Sequence, residues 1–118
     1  MSGLAFCLCA AWCGTCRGYE AVLASACATT GWQPHWVDVE AHEDLVDAVD
    51  VENFPTLVLV DAQGTPRFAG VVTPHEATAV RLMQAVDAGG LHPLTDGDWC
   101  DVVQQLLTHQ DQLRPKPD

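Results

Sequence analysis

Residues 4–10 read LAFCLCA, with no charged side chain and no turn former. The run is short and unbroken, as a strand covered on both faces of a sheet requires. It is interrupted at Trp12-Cys13-Gly14-Thr15-Cys16, after which apolar positions recur at Tyr19, Val22, Leu23, Ala26 and Cys27. That spacing predicts an amphipathic helix. Gly31 is suited to end it, because glycine enters the left-handed conformation without a Cβ penalty. Residues 35–39 read as a second strand, and 44–51, with Leu45, Val46 and Val49 on one side, as a weak helix.

Residues 57–60 form another buried-type strand, and Asp61-Ala62-Gln63-Gly64 carries turn chemistry leading into a returning edge strand over 66–72. This pair is a hairpin. Thr73 is expected to cap the next helix, with Pro74 at its first position, Glu76 three residues past the cap, and Ala77, Val80, Leu82, Met83 and Val86 as its apolar surface. Gly89-Gly90 should close it. Residues 91–97, which include Pro93 and Gly97, read as a linker, and beyond them Trp99, Val102, Val103, Leu106, Leu107 and Leu113 repeat at helical spacing.

Two strands joined through a helix pair in parallel with a right-handed crossover, whereas the hairpin is antiparallel. The expected fold is therefore α/β, a mixed four-stranded central sheet with helices on both faces. With 118 residues and 48% hydrophobic content the chain suits one domain. It divides into residues 1–90 and a segment, 91–118, whose amphipathic helix is expected to pack on the same domain.

Charge narrows the partners. Sixteen acidic residues oppose five basic ones, giving a formal charge of -11, which repels nucleic acid phosphates and anionic lipid surfaces. No Lys or Arg lies between Arg17 and Arg67, while Asp38, Glu40, Glu43, Asp44, Asp47, Asp50 and Glu52 crowd one segment. Such a run is ordinarily a solvated face; beside a working site it favours basic or neutral substrates. No stretch approaches the roughly 20 apolar residues of a membrane span. The apolar start has no Lys or Arg and is too short for a secretory signal. The expected location is the cytoplasm.

Six cysteines could suggest a disulfide framework, yet Cys7, Cys9, Cys13, Cys16 and Cys27 sit early and Cys100 stands alone. One working pair in a reducing compartment fits that spacing better. Cys13 and Cys16 lie between a strand and a helix, where unpaired backbone N–H groups and the helix dipole favour a thiolate. Such positions lower a thiol pKa from about 8.5 to roughly 3.5–7.5. Cys13 is then the nucleophile, and Cys16, a turn deeper, resolves the mixed disulfide.

At these residues the sequence resembles the thioredoxin family, through Trp12-Cys13-Gly14-Thr15-Cys16 and through Phe54-Pro55-Thr56 just before a buried strand. The spacing of the two motifs, the Gly64 hairpin and Gly70 before the following helix agree, and the resemblance covers residues 3–88. It implies a protein disulfide oxidoreductase with Cys13 and Cys16 catalytic and no cofactor. Its substrate-binding surface would be formed by Trp12, Gly14, Thr15, Phe54, Pro55 and Thr56. Pro55 would be cis and face the dithiol, Phe54 would offer its backbone to an extended substrate, and Trp12 would wall the nucleophile. Partners would be protein disulfides and a recycling reductant, with the chain a monomer or weak dimer.

Two departures matter. The family's buried acid, which shuttles the resolving thiol's proton, corresponds here to Cys7, and its accompanying lysine falls near Trp36, so deprotonation of Cys16 is expected to be slower or to use water. The family's usual preceding strand and helix have no counterpart before residue 4, and the C-terminal helix is expected to cover part of that surface. Thr15 matches neither the proline nor the histidine of family members and leaves the redox potential unread.

Other readings compete. Cys7, Cys9, Cys13 and Cys16 supply four sulfurs within ten residues, which raises zinc or iron–sulfur binding. But Cys7 and Cys9, two apart on a strand, share a face and are expected to point into the core, so no metal is expected. Cys27 and Cys100 read as packing residues. His35, His42, His75, His92 and His109 show no ligand spacing. The alternative function is a redox-inactive or weakly active binding module or assembly helper, holding a partner at Phe54-Pro55 and the acidic segment.

Overall fold

The apolar run at the start of the chain becomes the inner strand β1 (Leu4–Cys9), flanked on both sides in a sheet of order β2-β1-β3-β4. The computed structural model describes residues 3–10, 14–49, 55–110 and 113. Helix α1 (Gly14–Thr30) follows β1, and β2 (Gln33–Asp38) returns parallel to β1. Strand β3 (Thr56–Val60) runs antiparallel to β1, and β4 (Pro66–Val71) antiparallel to β3. Helices α2 (Glu76–Asp87) and α3 (Gly97–Thr108) complete the chain. The sheet is mixed and helices cover both faces.

Strand alternation sorts the core into two layers. Ala5 and Cys7 point to one side, where Tyr19, Leu23 and Cys27 of α1 and Ala79 and Met83 of α2 meet them. Phe6 and Leu8 point to the other, against Val102, Val103 and Leu106 of α3, together with Leu45 and Leu113. The end of α1 is tied to α2 by Thr30 Oγ1 donating to Met83 Sδ at 3.2 Å and by the adjoining Trp32, whose Nε1 donates to Asp87 Oδ2 at 3.1 Å.

The stops fall where chemistry demands them. Gly31, Gly64 and Gly89 take φ of 82°, 84° and 75°. At the end of α2, Gly89 N–H donates to the Val86 carbonyl and Gly90 N–H to the Ala85 carbonyl, the paired bonds of a Schellman motif.

Three expectations shift. The described part of the stretch 44–51, residues 44–49, is not a regular helix: a 3₁₀ turn spans Glu43–Leu45, and the amides of Leu45, Val46 and Val49 bond three residues back. Among the described residues there, only neighbouring Leu45 and Val46 are buried, too little apolar surface to repay nucleation of an α-helix. Thr73 does not cap α2. The Pro74 turn is closed by His75 N–H to the Thr73 carbonyl at 2.8 Å, and the helix begins one residue after an extended His75. Helix α3 begins inside the expected linker, because Asp96 accepts from the amides of Asp98 and Trp99 at 2.9 and 3.2 Å. It ends at Thr108, while Leu113 beyond it stays buried.

On β2 the amides of Gln33 and Val39 donate inward, to the Gly3 and Cys9 carbonyls. By the alternation of a parallel ladder, Pro34, Trp36 and Asp38 hold the outward positions of this edge, and Pro34 has no N–H to present.

Candidate functional site

The site lies at the end of the sheet where β1 hands over to α1. Gly14 opens the helix, Thr15 is exposed, and Cys16, its third residue, is buried with 3% of its surface exposed. Cys16 therefore sits in the first helical turn, where backbone N–H groups lack intrahelical acceptors and the dipole favours negative charge. The antiparallel register pairs Leu8 with Thr56, which sets Pro55 beside the end of β1 and brings the second motif to the first. Both Pro55 and Thr56 are buried, and the Pro55 carbonyl accepts from Val72 N–H at 3.3 Å. Gly14, Thr15, Cys16, Pro55 and Thr56 thus gather at one end of the sheet. Trp12, Cys13, Phe54 and the peptide bond before Pro55 lie outside the described residues.

Beneath this end the environment is thiol-rich. Cys7 is fully buried on the α1 side of the sheet, and its Sγ lies 3.0 Å from that of Cys9. Burial pushes the Cys27 thiol up to about 12, so it stays protonated. The Tyr19 hydroxyl is raised well above its ordinary value, first by burial and then by Cys7, Cys27 and Cys9 nearby. Cys9 departs from the expectation of a core residue: it is partly exposed and opens on a cavity of about 300 Å³. That cavity is lined also by Cys16, Arg17, Glu20, Trp36 and His42. Alternation along β1 told which face Cys9 occupies; it could not tell that a cavity opens between Cys9 and the first turns of α1. Among the described residues no three His, Cys, Asp or Glu side chains converge in a way that could hold a metal ion.

The family model for thioredoxin matches residues 6–84. The chain belongs to the thioredoxin family. Solved structures agree at the level of fold. The germline-specific thioredoxin Deadhead of Drosophila melanogaster is similar with a TM-score of 0.61 at 20% identity, over 72% of this chain and 81% of that one. A malarial protein is similar with a TM-score of 0.55 at 19% identity, over 70% and 96% of the two chains. Among curated proteins, none matches the sequence. Relative to the thioredoxin pattern, the inner strand carries Cys7 at the buried acid's position, and the proton-accepting groups that line the cavity with Cys16 are Glu20, Asp38 and His42.

Proposed function

We propose that this thioredoxin-family chain is a thiol-disulfide oxidoreductase acting on protein disulfides through Cys13 and Cys16. The observation that supports this reading most strongly is the setting of Cys16: buried in the first turn of α1, behind Cys13 in the motif, at the strand end alongside Pro55. In the proposed reaction the Cys13 thiolate attacks one sulfur of a substrate disulfide and expels the other as a thiolate. Cys16, deprotonated, then attacks Cys13, releasing the second substrate sulfur and leaving a Cys13–Cys16 disulfide for a cellular reductant. Gly14 and Thr15, exposed between the two cysteines, would face the substrate, and Trp12, Phe54, Pro55 and Thr56 would border its extended segment. With Cys7 in place of a carboxylate, the Cys16 proton would leave through the cavity to water, Glu20 or His42. Among the described residues no helix is long and apolar enough to cross a membrane; a reducing cytoplasm is the compartment this chemistry would suit.

Insulin reduction with dithiothreitol tests the reading. Activity lost in Cys13→Ser, and a covalent substrate complex trapped by Cys16→Ser, are the results expected; wild-type chain without activity and Cys16→Ser without trapping would overturn it. The second reading, a binding module with little redox activity, is favoured by Cys7 standing where the acid would be. It expects the double Cys13→Ser, Cys16→Ser chain to keep its partner.

A further inference from the structure

The Cys7-x-Cys9 motif is left unused by this reaction, yet it lies against it. Cys9 and Cys16 line the same cavity of about 300 Å³, and the 3.0 Å contact to Cys7 supplies Cys9 with a thiol that can donate to its sulfur. A hydrogen bond to the charged form favours that form. We propose that Cys9 is a third exchange thiol, which takes the disulfide from Cys16 by internal attack across their shared cavity. The inference rests on the reading of Cys13 and Cys16 as an exchange pair.

Distance separates the roles of the two strand thiols. Residues two apart on an extended strand have Cα atoms about 6.6 Å apart, at the far limit of the roughly 4.4–6.8 Å that a disulfide spans. Both positions are held in the ladder from β2 at Cys7 and Cys9, and Cys7 also from β3. A Cys7–Cys9 bond would sit at the long end of that range on a strand held in the ladder, and it is the competing product that the test below separates from Cys9–Cys16. Either sulfur can donate in the Cys7–Cys9 contact; in the proposal Cys7 donates, and the covalent partner of Cys9 is Cys16, which lines the same cavity from a different element. Cys27 is too buried and too firmly protonated to compete.

The step balances without an outside oxidant. Cys9 gives its proton to cavity water or to Glu20 or His42, and its thiolate attacks the Cys16 sulfur of the Cys13–Cys16 disulfide. That bond breaks, its electron pair leaves with Cys13 as thiolate, and a Cys9–Cys16 disulfide forms. The oxidising equivalents are those the substrate delivered. The product is a chain that carries its disulfide inside while Cys13 is again nucleophilic.

The test uses the full chain with Cys27→Ala and Cys100→Ser, so that Cys7, Cys9, Cys13 and Cys16 remain. After stoichiometric oxidation with diamide and acid quenching, alkylation and fragment mass spectrometry locate the thiols. Expected are iodoacetamide labelling of Cys13 in the oxidised chain and its loss on adding Cys9→Ala or, should that chain fold poorly, Cys9→Ser. In a Cys13→Ser chain a Cys9–Cys16 disulfide should form with or without Cys7→Ala. No Cys9–Cys16 bond in Cys13→Ser, or Cys13 labelling unchanged by Cys9→Ala, would overturn the proposal while leaving the exchange reading intact. Failure of the Cys9→Ala chain to form a Cys13–Cys16 disulfide would instead overturn the exchange reading and this inference with it.

Discussion

Arg67 reaches back along its own hairpin to Asp61, Nε to Oδ2 at 2.8 Å, while Asp61 Oδ1 accepts the amides of Gln63 and Thr65, each at 2.9 Å. Burial by itself would raise the Asp61 carboxyl, but the hydrogen bonds from Thr65, Arg67 and Gln63 and the Arg67 charge outweigh it, and the group lies below its ordinary 3.8. A lowered acid stabilises the fold above its unfolded-state value, and this contribution is lost as pH falls through its folded value. Asp61→Asn should cost about 1–3 kcal/mol at neutral pH and flatten the acid limb below about pH 4. Urea unfolding followed from pH 7 to pH 3 would show it; an unchanged acid limb would speak against this clamp.

His35 gives a second pH dependence in a different window. It is buried against Phe6, ring centroids 5.4 Å apart, and among the described residues its Nδ1 has no hydrogen-bond partner. Burial lowers it below its ordinary 6.5, opposed by the hydrogen bond with the Gln33 backbone. The unfolded chain then takes up the proton first as pH falls, so stability is full above about 6.5 and declines toward the folded value. His35→Leu should remove that decline between pH 7.5 and 5.5 and leave the chain at least as stable at pH 5.5. A variant that still loses stability over that interval as the parent does would contradict it.

Two glycines should respond in opposite directions to alanine. A Cβ on Gly3 would collide with the backbone carbonyl of Val60, which cannot swing aside as a side chain can, whereas one on Gly18, inside α1, would meet nothing within 4 Å. Gly3→Ala is expected to destabilise by about 1–3 kcal/mol, and Gly18→Ala to stabilise by about 0.5–1 kcal/mol. Thermal melts of the two variants check both signs.

The α3 layer can be tested at Leu106, which is fully buried among Phe6, Leu8 and their neighbours on that face of the sheet. Leu106→Ala should cost about 2–5 kcal/mol through lost burial and the cavity left behind. Equal stability in chemical denaturation would mean that α3 contributes little to this face.

Most of this architecture was legible because its signals are local and strong: the unbroken 4–10 run, the Gly31, Gly64 and Gly89 stops, and the apolar stripe of α3. The sequence also carried both motifs of the site, and β1–β3 register brings their described residues to one end of the sheet. Less legible was whatever depends on where one element ends over another. Thr73 and Asp96 both have capping side chains, and the Pro74 turn decided which became a cap. Asp96 did carry a readable signal, an acceptor three residues ahead of the first apolar position, Trp99. Leu45 and Val46 are buried, but adjacent rather than a helical turn apart. Cys9 shares its parity with Cys7, and what separates a covered sulfur from one that opens on a cavity is tertiary packing that alternation does not carry.

The outer margin of β2 has a further bearing on how the protein behaves when concentrated. With Pro34 at one of its outward positions, a neighbouring molecule that tried to zip along it would find a missing rung. The opposite margin, β4, likewise starts at a proline, Pro66, next to a register shift against β3. Growth into ribbons by strand addition is thus discouraged at both sides.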